Sequence, residues 1–387
     1  MKIGFVIPFL SKGGAECVVV DLANSMVQLG QDVTIFLLYS GEVNSRINSL
    51  STKVKIHYIY PKKHSTVGTY ARVITWFIRN KNLLSTFDII HTNLTFGSIF
   101  SSTAWLYKTM LSPPSFPLVI ETNHSVGTYI KKWQHALFLL NSHMRDGYIL
   151  MAQDDQWDRH FSKKKKYPLI ELIPNGIDLS KLHVSPQELD LCAASIGRAK
   201  EAYIIGSIGR MVRERNPDAI VDVFFELLSR KIDSDQFDIH FYMGGTGPEF
   251  NRIAQKFSDM GISNFVTLPG LVENSRVTMS SFSLYVTMNV KGTTGISGLE
   301  ATSQGIPTVA VQMTPGYTAK ETDWIWSSES PKLVAEKILE LLRDQTSLSQ
   351  LAKVQKDFCI ENFSATTMAK RYLDFYKKCQ LSLSNTV

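Results

Sequence analysis

The feature that most constrains this chain is an alternation: short Val- and Ile-rich runs are followed by longer stretches with apolar residues at helical spacing, and the pattern starts twice. A strand apolar on both faces must be covered on both, and helical crossovers between parallel strands do this. The class expected is therefore α/β. Strands are predicted at residues 2–9, 33–38, 55–60, 88–92, 118–122 and 147–152, then at 203–208, 238–243, 265–268, 283–287 and 307–311. Each set builds one doubly wound, Rossmann-like layer. A helix starting at Asn216, with Pro217 in its first turn, repeats Ile220, Val221, Phe224, Leu227 and Leu228 on one face.

At 387 residues the chain exceeds the ~150 of a typical domain, so two or three domains are expected. A hydrophobic share of 44% against 20% charged supplies conventional cores and excludes wholesale disorder. Cys17, Cys192, Cys359 and Cys379 form no C-x-x-C pair, which argues against zinc knuckles and redox motifs. No window reaches the ~18 apolar residues of a membrane span, and the N-terminus runs straight into a strand, so a cytoplasmic location is expected. The net charge of +6 suits phosphates or an anionic membrane face and is too small to argue for nucleic acid. The stretch 162–199, with its Lys163 to Lys166 run, reads as the connection. The expected domains are 1–175 and 176–360, with a helix at 361–387 returning to the first.

Two such domains facing each other leave a central cleft at the C-terminal ends of their strands, where ligands of doubly wound sheets bind. Four clusters fall on those loops. Gly13 and Gly14 follow the first strand and open a helix, giving either a tight turn or a loop whose free amides contact substrate. No G-x-G-x-x-G stands there, which disfavours a nicotinamide oxidoreductase. His91 and His124 end two strands of the same sheet, as ligand donors or as satisfied polar residues. Gly209-Arg210 and Arg215 end the first strand of the second half, where fixed cations suit a diphosphate better than a solvated loop. Finally, Gly295 and Gly298 open a helix carrying Glu300, a carboxylate able to take both hydroxyls of a ribose.

In order, Lys12-Gly-Gly-Ala-Glu16, Asp88-Ile-Ile-His91, Ile173-Pro-Asn-Gly-Ile-Asp178, Gly209-Arg210, Gly244-Gly-Thr-Gly247-Pro and Gly-Leu-Glu300-Ala with Gly305-Ile-Pro resemble the retaining GT-B glycosyltransferases. These include bacterial lipopolysaccharide and capsule enzymes, the group 1 and family 4 glycosyltransferases. The resemblance spans nearly the whole chain and implies a hexosyltransferase using a nucleotide-sugar donor, UDP-linked or GDP-linked, with a glycan or lipid-linked acceptor. It implies no cofactor and no metal. Arg210 and Arg215 match the residues that grip the donor diphosphate, with Arg215 where Lys is usual. His124 matches a histidine contacting the donor sugar, and Gly13 and Gly14 match a loop approaching diphosphate and acceptor. Gly245 and Leu271 fall on segments near the nucleobase, and Glu300 matches the ribose-binding carboxylate.

Two departures stand out. The first Glu of the family's Glu-x7-Glu falls on Gly292, so the amides of Gly292, Thr293, Thr294 and Gly295, or the nearby Asn289 and Lys291, become the candidate donor contacts, with Ile296 next to them among the donor-binding candidates. A Gln312-Met-Thr-Pro-Gly-Tyr317 segment replaces the family's Gly-Gly-x-x-Glu. The Gly292 departure keeps two alternatives open: a binding subunit without turnover, and a nucleotide-sugar epimerase. Asp233-Ser-Asp235 forms a D-x-D away from the ligand edge and reads as a polar turn, not a metal site. Residues 70–81 mix aromatic, apolar and basic side chains, either a packed helix with a basic rim or a peripheral contact with an anionic membrane.

Overall fold

The computed structural model describes residues 1–11, 13–60, 66–111, 116–124, 140–151, 168–185, 187–188, 202–232, 238–290, 293–313 and 324–384. They form two compact units, Met1–Gly176 with Ala365–Val387, and Ile177–Ser364.

In the first unit, β1 (Lys2–Ile7), β2 (Asp32–Tyr39), β3 (Lys55–Tyr60), β4 (Ile89–Asn93), β5 (Leu118–Asn123), β6 (Gly147–Leu150) and β7 (Leu169–Leu172) make a sheet ordered β3-β2-β1-β4-β5-β6-β7. Every adjacent pair is parallel. The central strands are buried along their length, because both faces are covered by crossovers that include α1 (Gly14–Gln28), α2 (Thr66–Leu84) and α3 (Leu94–Leu111). On α1, Val18, Val19, Leu22, Ala23 and Met26 supply the buried face, and Gly30 at φ 80° ends the helix in the left-handed region. Strand β7 lies inside the stretch expected to be connection. Its four residues sit at the sheet edge with half their pattern exposed, so it lacks the two-faced apolar signal of the inner strands.

In the second unit, β8 (Tyr203–Ile208), β9 (Ile239–Gly244), β10 (Val266–Thr267), β11 (Leu284–Val290), β13 (Thr308–Gln312) and β14 (Ser327–Ser328) are ordered β10-β9-β8-β11-β13-β14, with β12 (Thr293–Thr294) antiparallel on β11. Around them lie α4 (Pro217–Ile232), α5 (Phe250–Asp259), α6 (Ser275–Met279), α7 (Ile296–Ser303), α8 (Pro331–Arg343) and α9 (Gln345–Phe363). Phe224 of α4 stacks on Phe241 of β9 at 4.4 Å, and Val334 and Ile338 of α8 complete the same core. Strand order reverses between β8 and β11, which makes their C-terminal ends the topological switch point of this sheet.

The chain leaves the second unit beside the place where it entered. Ile177 bridges Ser364, and the Ile177 amide donates to the Phe363 carbonyl at 2.9 Å. The last helix, α10 (Ala365–Ser384), then packs against α1 and β6, with Phe375 and Cys379 filling the space that the absent side chain of Gly147 leaves.

Candidate functional site

Three loops at the C-terminal edge of the second sheet are stitched together through their backbones. The Gly209 amide donates to Gly244 O at 3.0 Å, the Met211 amide to Thr246 O at 2.9 Å, and the Gly245 amide to Gly270 O at 2.7 Å. This seam requires glycine at 245. Its φ is 131°, and a Cβ there would stand 1.9 Å from the Gly209 carbonyl oxygen. The seam therefore fixes Gly209-Arg210 against Gly245, and it brings in Gly270, whose neighbour Leu271 is exposed. By contrast, a Cβ on Gly209 would meet no atom within 4 Å.

Beyond the seam, Arg210, Arg215, Tyr285, Thr287, Gly295 and Ser297 line one pocket. Gly295 is the N-cap of α7, and a Cβ added to it would lie 3.4 Å from Nη1 of Arg215. One guanidinium thus rests on the start of a helix whose first amides lack intrahelical acceptors. Crowding by the pocket walls and the like charge of Arg210 lower the Arg215 pKa, although the side chain keeps an exposed face. Two positive groups and a helix N-terminus converging on one space suit a polyanion. Thr294 is held under α7 by close packing: its Oγ1 lies 3.0 Å from that of Thr287 and 2.1 Å from where a Cβ on Gly298 would sit. Ile296 opens α7, and Glu300 follows one turn later, near enough to Tyr285 and its neighbours to act on its charge.

Among the sequence candidates of the first unit, Gly13 and Gly14 mark the start of α1 at the end of β1, and His124 follows β5. The α1 N-terminus carries its own anion. Glu16 sits in the first turn, accepts from the Ser11 hydroxyl at 2.8 Å, and packs against Gly13, so the free-amide site expected here is partly answered from within. His124 Nε2 lies 2.8 Å from Asn93 Oδ1. The Asn93 amide nitrogen faces the Val6 and His91 carbonyls, so its oxygen faces the ring and Nε2 donates. Nδ1 is then an acceptor, and it is shielded with no partner among the described residues. Burial pushes the His124 pKa down to about 4, so the ring is neutral.

His91 resolves as a core residue. It is fully buried, with Nδ1 2.7 Å from Tyr376 Oη and Nε2 2.7 Å from Thr122 Oγ1, and burial lowers its pKa to about 3. Glu121, in the same motif as His124, forms a buried ion pair with Arg145 at 2.7 Å. Its pKa is raised by desolvation, against which Arg145, Ser101 and Ser98 act.

Lys291, Gly292, the Lys163 to Lys166 run, Asp233, Asp235 and residues 314–317 lie outside the described residues, as does the Thr293 side chain. Sequence reasoning gave no role to Tyr285, Thr287, Ser297 or Asn93. Tyr285 reads as one more apolar strand residue, and only its hydroxyl partners distinguish it.

The descriptions Glycosyltransferase Family 4 and Glycosyl transferases group 1 match residues 12–181 and 202–344 respectively, together most of the chain. No curated protein matches it in sequence. Among solved structures, HepE of Anabaena, in complex with UDP and glucose, is similar with a TM-score of 0.74 at 15% identity, covering 97% of this chain and 99% of that one. A variant of S. aureus TarM, in complex with fondaparinux, α-GlcNAc-glycerol and UDP, gives 0.68 at 12%, covering 97% and 100%. WaaG, a glycosyltransferase involved in lipopolysaccharide biosynthesis, gives 0.64 at 12%, covering 97% and 99%. With a family 4 region followed by a group 1 region, and two parallel α/β sheets that match GT-B structures, the chain belongs to the GT-B glycosyltransferases.

Proposed function

We propose that this glycosyltransferase moves a hexose from a nucleoside-diphosphate sugar, UDP-linked before GDP-linked, to a glycan or lipid-linked acceptor with retention, in surface polysaccharide synthesis. The observation that carries the reading is the pocket where Arg210, Arg215 and the N-terminus of α7 converge at the switch point of the second sheet. HepE and TarM, both solved with UDP, support the choice of base. The lipopolysaccharide role of WaaG supports the choice of pathway class.

Breaking the anomeric bond leaves positive charge on the sugar and negative charge on the departing diphosphate. In this reading Arg210, Arg215 and the α7 amides stabilise that leaving group, with Gly209, Gly245, Leu271, Thr293, Thr294, Ile296 and Glu300 around the nucleotide. The acceptor attacks from the same face, and the leaving phosphate oxygen takes its proton, so no side-chain nucleophile is needed. His124, with an acceptor nitrogen, contacts the sugar, and Gly13 and Gly14 border the diphosphate and acceptor.

The test is a thermal-shift series with UDP, GDP, ADP, CMP and NAD on the wild type and Arg210→Ala, since a ligand selective for the native state raises its melting temperature. A shift with UDP that shrinks in the variant is expected. Shifts with NAD alone would overturn the reading. Gly292 at the family's Glu position motivates a second reading, donor binding without transfer; sugar release from UDP-glucose in the presence of lipid extract would exclude it.

No helix among the described residues is long and apolar enough to cross a membrane. On α2, Ile74 and Ile78 are exposed at 44% and 56%, one turn apart, and Arg72 and Arg79, two turns apart, are exposed on another side of the helix. An exposed apolar pair with exposed cations around it supports peripheral contact with an anionic membrane. Co-sedimentation with phosphatidylglycerol vesicles but not phosphatidylcholine vesicles is expected, and lost on Ile78→Glu.

A further inference from the structure

Strands β8 and β11 part company early. Their register holds only Ile205 with Leu284 and Gly206 with Tyr285, whereas β8 stays paired with β9 as far as Ile208 and Gly244. The Ile208 N–H and C=O on the β11 side therefore have no strand partner, and at a half-buried position leaving both unpaired is costly. Tyr285 fills the gap. Its hydroxyl donates to Ile208 O at 2.8 Å and accepts from Ile208 N at 3.1 Å, and the Ser297 side chain, lining the same pocket, is close enough to act on it.

A phenol has one hydrogen and two acceptor positions. Ile208 O takes the hydrogen and Ile208 N–H one acceptor position, and the Ser297 hydroxyl stands on the side of the other. The ring is 1% exposed, stacked near Phe282. Whatever Tyr285 does for the pocket it does through the groups beside its hydroxyl. Those are Ile208, two residues before Arg210, and Ser297, the second residue of α7, whose N-cap Gly295 carries the Arg215 guanidinium.

We propose that Tyr285 is a positioning residue, a bolt across the switch point that sets the spacing between Arg210 and the Arg215-bearing start of α7. Without the bolt, the Arg210 loop keeps its seam to Gly244 and Thr246 and the Glu249 bond to Met211, but nothing of that seam ties it to β11, and the crevice between β8 and β11 is free to widen or close. The spacing matters to a group that both sides grip at once, the diphosphate, and not to a nucleoside lacking it. This inference rests on the nucleoside-diphosphate reading given above.

Equilibrium affinities of UDP and of uridine for wild type, Tyr285→Phe and Ser297→Ala test it. Tyr285→Phe keeps the ring and its packing. We expect it to weaken UDP binding about tenfold while uridine stays within about twofold of wild type, and Ser297→Ala to shift the same ratio in the same direction. A Tyr285→Phe protein that melts earlier yet keeps the wild-type ratio of UDP to uridine affinity would overturn the inference, leaving the residue a purely structural one. Should Tyr285→Phe fail to fold, the ratio in Ser297→Ala decides alone. A wild-type protein that binds neither UDP nor GDP would sink the nucleotide reading itself, a result distinct from an unchanged ratio.

Discussion

Arg210 and His91 illustrate two fates of a polar residue at a strand end. Arg210 lines an open pocket, with a second guanidinium and a helix start nearby. Charge on a diphosphate grows as the glycosidic bond breaks, so its loss falls mainly on the transition state: Arg210→Ala is expected to lower kcat on the order of a hundredfold or more, measured as initial rates at saturating donor. An unchanged kcat would refute that role. His91, sealed between Thr122 and Tyr376, works for stability. Its native pKa of about 3 lies below the 6.5 of the unfolded ring, so between those values the unfolded chain binds the extra proton. Stability is therefore complete above about pH 6.5 and drains as pH falls toward 3, by up to about 1.4 kcal/mol per pH unit from this residue. Urea unfolding at pH 7 and pH 5 should show the loss, and His91→Gln should flatten it.

At the level of elements, the loops of the second sheet behave as one piece because their glycines are packed backbone to backbone. Gly245→Ala must displace the Gly209 carbonyl, and φ 131° admits no ordinary side chain, so we expect a loss of about 2 kcal/mol or more, read by thermal melting, together with weaker UDP binding. Gly209→Ala, with open space before it, should leave the melting temperature nearly unchanged. In the first unit, Tyr376→Phe leaves His91 Nδ1 without its partner and should cost about 1–3 kcal/mol in the same assay. Most of these elements were legible in the sequence, since β1, β4, β5, β8 and β13 are apolar runs between turn signals and α4 and α8 announce themselves by a proline. Strands β7 and β14 were not, being an exposed edge and a two-residue segment. The candidate site was half legible. Arg210, Arg215 and the glycines stand out by residue type, but the Tyr285 hydroxyl and the Asn93 amide act through long-range partners that no local spacing records.

The molecule as a whole consists of two units, each with its own sheet and core. If the leaving diphosphate is neutralised by arginines and amides alone, transfer should survive exhaustive EDTA treatment. Activity lost on chelation and restored by magnesium or manganese would contradict this. The plan of the units also sets an order in time. The first unit is interrupted: its sheet is made from the start of the chain, yet Tyr372 and Tyr376, which close over His91 and Thr122, come from α10. During synthesis, domains ordinarily fold in the order they emerge. Here the second unit, continuous from Ile177 to Ser364, has all its residues before the first has its last helix. A chain cut at residue 364 would therefore hold every residue of the second unit, yet leave the first without the helix that closes over His91 and Thr122.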